Sequence, residues 1–309
     1  MNAVVFIVNR IAEIDPGSTT HALILAALAQ GHDVVVSDVL HVRVSAGQRV
    51  WCDGQLIVAP GSKGEADLGS LHRRESRVSM DLEDANVVFI RTSPGRDGDF
   101  AWAHRFALQA LALAASKGVS VVNDPIGLAR ASSKLYSACL PEAYTPKTLI
   151  TRNPEATRAF ISGLAGAAVI KPLVGSGGRD IFFADGPDAE NLDEICGLLG
   201  RGGYYVVQQY VEEVEDGDLR VLLLDGKILE LDDEQGVVHR VPKLGQFRSN
   251  VSLGARARPG YLSERQAEIA TEVAQTILAD GIRLAGLDMV ADCILEVNVF
   301  STGGLNDAD

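Results

Sequence analysis

Three oxygen-bearing side chains, Asp288, Glu296 and Asn298, lie close together in the stretch Gly286–Asn298. Side chains on a strand repeat every two residues, so Glu296 and Asn298 share a face, and a three-residue turn at 291–293 sets Asp288 opposite Glu296. Facing like charges destabilise a sheet unless something neutralises them, and hard oxygen donors suit Mg²⁺ held jointly with substrate phosphates. A solvated hairpin face fits the same spacing. Upstream, Lys171 closes an apolar strand, and Gly175-Ser176-Gly177-Gly178 follows shortly after. Glycines let backbone N–H groups approach phosphate oxygens, and a nearby lysine supplies charge. Taken alone, the loop also fits a flexible turn, and Lys134 an exposed helix lysine. Their joint order is more specific: Lys134, Lys171, the glycine loop, Arg220, then Asp288, Glu296 and Asn298.

Other chemistries lose their main support. The chain has no G-x-x-x-x-G-K-[ST], no H-E-x-x-H and no G-x-S-x-G, and the first apolar run leads into Asn9-Arg10-Ile11 rather than a glycine fingerprint. Cys52, Cys139, Cys196 and Cys293 are scattered without a C-x-x-C pair, which argues against a zinc site or a disulfide framework and makes a reduced cytoplasm the expected location. The formal charge of −13 is a poor match for a nucleic-acid backbone, though a local basic patch could still hold small anions. The longest apolar run, Ala22–Ala29, falls far below the roughly 18 residues of a membrane span. Nor does the opening Ala3–Val8 read as a signal peptide, since no basic region precedes it and no small-residue cleavage site follows.

The elements that must position these residues alternate in type at first. Ala3–Val8 reads as a buried strand, a helix capped by Ser18 or Thr19 runs through Gln30 to Gly31, and Val34–Val36 is a second strand. A hairpin-like stretch and a polar segment, 61–80, precede a strand at Val87–Ile90, a helix over Phe100–Lys117 and a strand at Val119–Val122. Alternation of this kind implies a mainly parallel sheet. Beyond Asn123 come a short helix carrying Lys134, a helix at Pro154–Leu164 and a strand at Ala167–Ile170. From Tyr204 the pattern turns antiparallel, with Asp225-Gly226 between two apolar runs and one long helix, Ser263–Asp280. The expected class is α/β, becoming α+β toward the C-terminus. Three parts are expected, residues 1–123, 124–205 and 206–309, the last of them carrying the acidic hairpin.

The ordered motifs resemble the ATP-grasp superfamily and, within it, the bacterial glutathione synthetase family. The matching stretches are Val122-Asn123-Asp124-Pro125, Ser133-Lys134-Leu135, Thr145-Pro146-Lys147-Thr148, Ile170-Lys171-Pro172, Gly175 to Gly178, Gln208 to Val211, Asp216 to Val221, Arg248-Ser249-Asn250 and Gly286 to Asn298. The resemblance implies an ATP-grasp fold preceded by a parallel-sheet domain. It further implies that Lys134 and Lys171 hold nucleotide phosphates while Gly175, Ser176, Gly177 and Gly178 close over them. Gln209, Tyr210 and Val211 would line the adenine, with Glu212 or Asp218 near the ribose. Asp288, Glu296 and Asn298 would hold Mg²⁺, with Mn²⁺ as an alternative ion. Arg220, Arg248 and Asn250 would stand at the reacting carboxylate, Ser301 close by, and Arg91 would contact the acid substrate.

Three departures from the family pattern stand out. After Arg91 the family usually shows a charged pair and two prolines, where this chain has Thr92-Ser93-Pro94-Gly95-Arg96-Asp97; Ala291 replaces a usual turn glycine; and the chain stops at Asp309 where relatives usually continue into a last helix. The implied activity is ATP-dependent amide formation through an acyl phosphate, with γ-glutamylcysteine and glycine as the family's pair. A different acid or amine, a small-molecule kinase and a catalytically silent nucleotide-binding protein remain rival readings. Expected partners are a small-molecule carboxylate, an amine and further copies of the chain, with neither nucleic acid nor membrane.

Overall fold

The computed structural model describes residues 3–58, 77–175, 177–232, 234–242 and 255–305. Its first strand, β1 (Ala3–Val8), is buried at every position because both faces of a parallel sheet are covered. Ser18 Oγ accepts from the His21 N–H to start α1 (Thr19–Ala29), and Gly31, at φ +83°, ends it. Strands β2 (Asp33–Asp38), β3 (Val42–Ser45), β4 (Arg49–Ile57), β5 (Arg77–Asp81) and β6 (Ala85–Arg91) follow, then α2 (Ala101–Ser116) and β7 (Val121–Val122). The sheet order is β3-β4-β2-β1-β6-β7, with β5 on β4; the β2-β1-β6-β7 part is parallel and the hairpin strands are antiparallel. The segment expected to be polar and irregular thus ends in a paired strand, because β4 offers β5 a free edge.

Asn123 ties this sheet to the rest of the molecule. Its side chain donates to the carbonyls of Leu284 and Val299 and accepts from the N–H groups of Arg283 and Leu284, which satisfies a buried amide completely. Asp124 then caps α3 (Pro125–Arg130). The short helix expected to carry Lys134 is a separate 3₁₀ segment, Lys134–Cys139, capped by Ser133.

A four-stranded antiparallel sheet comes next, in the order β10-β9-β11-β8. Its strands are β8 (Thr148–Thr151), β9 (Ala168–Pro172), β10 (Phe182–Ala184) and β11 (Tyr205–Gln209), with helices α4 (Pro154–Ser162) and α5 (Leu192–Arg201) packed on it. This layer has its own small core around Ile161, Ile170 and Tyr205. The last sheet joins β12 (Asp218–Leu224), β13 (Lys227–Ile228), β16 (Val237–Val241), β17 (Arg256–Pro259), β18 (Leu284–Val290) and β19 (Cys293–Asn298); β14 (Glu230–Leu231) pairs with β15 (Glu234–Gln235) beside it. Asp225 and Gly226 both take positive φ in the β12–β13 turn, the conformation a two-residue hairpin favours. Ser263 and Gln266 form a reciprocal capping box for α6 (Glu264–Ala279), whose buried face joins the same core as the first sheet.

Candidate active site

The acidic hairpin forms with the expected pairing but by a different route. Val290 pairs with Cys293 and Met289 with Ile294, so the turn has two residues, Ala291 and Asp292, and not three. Leu295 is then an extra residue on β19, and this bulge restores Asp288 opposite Glu296. Asn298 Nδ2 donates to Asp288 Oδ2 at 3.1 Å, which leaves its Oδ1 oxygen available. Ala291 adopts φ +47°, at the position where a glycine is the family pattern. Gln266 Nε2 donates to the Ala291 carbonyl, a backbone contact that survives substitution. We expect Ala291→Gly to raise stability by about 1 kcal/mol, the usual cost of a left-handed alanine; unchanged urea unfolding would show that the turn is unstrained.

Guanidinium groups neutralise the buried end of the hairpin. Arg220 holds Asp288 in a fork, Nε to Oδ1 at 2.5 Å and Nη2 to Oδ2 at 3.2 Å, and Arg240 lies 2.9 Å from Oδ1. Burial pushes the Asp288 carboxyl upward, but the two arginines outweigh it and hold it well below the ordinary carboxylate value. Arg240 also forks onto Asp218, at 2.7 and 2.6 Å. Burial and the charge of Asp288 raise the Asp218 carboxyl against this pull. Asp218 therefore grips an arginine and does not stand free. Lys134 Nζ lies 3.7 Å from Glu296 Oε1 and donates to the Gly175 carbonyl at 3.0 Å, linking the glycine loop to the acidic pair.

Lys171 is buried on β9, where it donates to Gln208 Oε1 at 3.0 Å; Gln208 in turn donates to Thr148 Oγ1. Burial lowers its ammonium to about 8, with Lys134 adding to the effect and Glu296 and Asp288 opposing it. Arg91 ends β6 at 5% exposure, and burial lowers it to about 10. Its Nε donates to Thr20 Oγ1 and its Nη2 to the Thr302 carbonyl.

Two cavities meet at this constellation. One, of about 370 Å³, runs from Ser18, Thr20 and Arg91 past Lys134, Gly175 and Gly177 to Arg220; Ser301 lies on its wall. The other, of about 110 Å³, lies between the four-stranded and last sheets and is lined by Lys171, Gln209, Tyr210, Val211, Asp218 and the bulged Leu295. Asp288, Glu296 and Arg240 line both. Gly178 follows the loop, and Glu212 is exposed just beyond Val211, on neither wall. Ser176, Arg248 and Asn250 lie outside the described residues.

Sequence reasoning missed Arg240 and Gln208. Period-two alternation puts Asp218 and Arg220 on one face, and the β12–β16 register sets Arg240 directly opposite Asp218. That pairing crosses a long connection, so no local signal marks it.

Among the described residues, no three His, Cys, Asp or Glu side chains cluster as a self-sufficient metal site. Two carboxylates on facing strands plus an amide oxygen form an incomplete hard donor set, one that suits a divalent cation completed by phosphate oxygens.

A narrow inter-sheet cavity opening onto paired carboxylates, lysines and a glycine loop defines an ATP-grasp ligase. "Prokaryotic glutathione synthetase, N-terminal domain" matches residues 2–129 and "Prokaryotic glutathione synthetase, ATP-grasp domain" matches residues 133–309. A glutathione synthetase from Xanthomonas campestris is 34% identical, with 99% of this chain and 92% of that one covered. One from Synechococcus elongatus is 32% identical, covering 98% and 92%. Among solved structures, a D-cycloserine synthetase superposes with a TM-score of 0.62 at 17% identity, over 99% of this chain and 97% of that one. The chain belongs to the prokaryotic glutathione synthetase family and is an ATP-dependent carboxylate–amine ligase. No helix among the described residues is long and apolar enough to cross a membrane.

Proposed function

We propose that the enzyme joins γ-glutamylcysteine to glycine, with ATP converted to ADP and phosphate. The observation that carries this reading is the meeting of the two cavities at Asp288, Glu296 and Arg240, which brings a narrow inter-sheet slot and a larger chamber to one charged point. A carboxylate is a poor electrophile, so the reaction first needs the γ-phosphoryl group on it; the amine then attacks the acyl phosphate and phosphate leaves. Gln209, Tyr210 and Val211 line the adenine, Glu212 or Asp218 serves the ribose, and Lys134 and Lys171 hold the phosphates beside the glycine loop. Arg220 and Arg240 steady the charge on the transferring group, a role the family resemblance extends to Arg248 and Asn250. Asp288, Glu296 and Asn298 hold Mg²⁺, which supplies charge neutralisation at the phosphates.

The same reading divides the chain into 1–123, 124–205 and 206–309, except that strand β11 (Tyr205–Gln209) pairs with β8 and β9 and so belongs whole to the middle part. The protein then works as a soluble cytoplasmic homo-oligomer. Hydroxylamine provides the direct test. With ATP, Mg²⁺ and γ-glutamylcysteine, it should capture the acyl phosphate as a hydroxamate without any glycine, and glycine should accelerate ADP release. ADP release with no hydroxamate would point to a kinase. ATP binding without turnover across a broad panel of acids would defeat the ligase reading.

A further inference from the structure

The run after Arg91 departs from the family pattern, and the structure gives that departure a location. Arg96, an exposed residue, ends a single 3₁₀ turn, Pro94–Arg96, on the wall of the larger cavity, which Arg91 and the N-terminus of α1 also line. The turn is pinned on both sides. Ser93 exchanges two hydrogen bonds with the Asn9 side chain, its N–H to Oδ1 at 2.7 Å and its carbonyl from Nδ2 at 3.2 Å. On the other side, Asp97 is engaged by Arg10 at 3.2 Å and by His104 at 3.0 Å, and Arg10 lies over the Phe100 ring at 4.4 Å.

That second anchor matters for charge. Asp97 is the carboxylate adjacent to Arg96, and it is already paired with a different arginine. The Arg96 side chain has no hydrogen-bond or ion-pair partner among the described residues. Arg91, nearly wholly buried, uses Nε and Nη2 internally and keeps Nη1 without a partner among the described residues. Thr20, which accepts from Arg91, and Ser93 and Ser301 line the same cavity as the two arginines. The described carboxylates on the cavity wall, Asp288 and Glu296, are already paired, Asp288 with Arg220 and Arg240 and Glu296 with Lys134. An ammonium has no described counter-charge here, whereas an anion has two guanidinium groups.

We propose that Arg96, together with Arg91, forms a subsite for a second carboxylate on the acid substrate, remote from the one that is activated, and that the α-ammonium beside that carboxylate in a γ-glutamyl group is not required. The proposal rests on the ligase reading and narrows it: the substrate class is a dicarboxylic N-acyl amino acid, of which γ-glutamylcysteine is one member.

Three acids separate the contributions: γ-glutamylcysteine, its des-amino analogue N-glutarylcysteine, and N-pentanoylcysteine, which is neutral at the far end. Calorimetric binding to the enzyme loaded with a non-hydrolysable ATP analogue should rank the first two within a few-fold of each other and the third at least about tenfold weaker, as expected for loss of a charge-assisted contact at a partly exposed site. Arg96→Gln should shrink the preference for N-glutarylcysteine over N-pentanoylcysteine about tenfold, acting on KM for the acid more than on kcat, and Arg96→Lys should restore part of it. Gly95 packs its backbone against Gly175, so the rival destination for Arg96 is the nucleotide phosphate. A variant that raises KM for ATP and leaves the acid preference intact would overturn the subsite. So would rejection of N-glutarylcysteine while γ-glutamylcysteine is used, since that outcome makes the ammonium essential. Hydroxamate formation in either case keeps the ligase reading standing; its absence with every acid, despite ranked binding, removes that reading and leaves the subsite supported.

Discussion

Glu296→Gln should reduce kcat/KM about a thousandfold and leave the folded protein as stable as the parent. The two effects separate because of where Glu296 sits. Its side chain is about one-third exposed, and its ion pair with Lys134, at 3.7 Å, is too long to contribute much to folding. Its carboxylate oxygens matter when phosphate charge must be neutralised, and losing one anionic oxygen donor costs several kcal/mol of transition-state stabilisation. Asp288→Asn should differ. Asp288 is the shared partner of Arg220 and Arg240, both mostly buried, so removing its charge leaves guanidinium groups undercompensated at a cost of about 3–5 kcal/mol. Asp218 offsets part of that for Arg240, which it holds in a fork, and less for Arg220, which it meets through charge alone. The expected pattern is therefore equal loss of turnover in the two variants with unequal loss of stability, measured by steady-state rates and urea unfolding. Near-parental turnover of Glu296→Gln in Mg²⁺ would remove it from the metal site. Equal stability of the two variants would show that the arginines do not depend on Asp288.

How much of this arrangement could be read beforehand depends on the range of the interaction. Asp288 and Glu296 are eight residues apart, and strand periodicity alone brings them face to face; the bulge at Leu295 was hidden because a two-residue turn plus a bulge and a three-residue turn give the same pairing at that position. A cap at Ser18 or Thr19, a helix start at Ser263 and the turn at Asp225-Gly226 were legible for the same reason, since their chemistry is confined to a few residues. Arg240 was not, because its importance comes from a strand pairing with Asp218 across 22 residues and from Asp288 on a third strand. The short helix carrying Lys134 was legible too, but not that it is a 3₁₀ segment capped by Ser133 and separate from the helix ending at Arg130. The charge at the acid end needed the structure most. Arg96 has an acidic neighbour in sequence, and only the contacts of Asp97 with Arg10 and His104 show that this neighbour is engaged elsewhere.

Replacing Lys171 by methionine should weaken ATP binding about a hundredfold, the upper range for one charge-assisted hydrogen bond to a buried anion. Its effect on folding should change sign with pH. In the folded protein, burial holds the Lys171 ammonium at about 8, against 10.5 for an ordinary lysine. Between those two values the unfolded chain carries the proton and the folded chain does not, so the unfolded state binds more protons and the contribution to stability rises with pH through this window. Below pH 8 both forms are protonated and the folded state bears a constant penalty of about 3 kcal/mol. Methionine removes that penalty but leaves Gln208 Oε1 buried without its donor, at a cost of about 1–3 kcal/mol. At pH 7 relief of the charge should prevail, and Lys171→Met should match or exceed the parent in urea unfolding. Near pH 10 the parental lysine is neutral and keeps its hydrogen bond, so the variant should be the less stable. Bound phosphate favours the charged ammonium, so ATP binding near pH 8 should take up part of a proton, visible as a buffer-dependent calorimetric heat that the variant lacks. Parental ATP affinity in Lys171→Met would remove this lysine from the phosphate site, and a stability difference that does not vary from pH 7 to 10 would mean that the folded-state ammonium is not depressed.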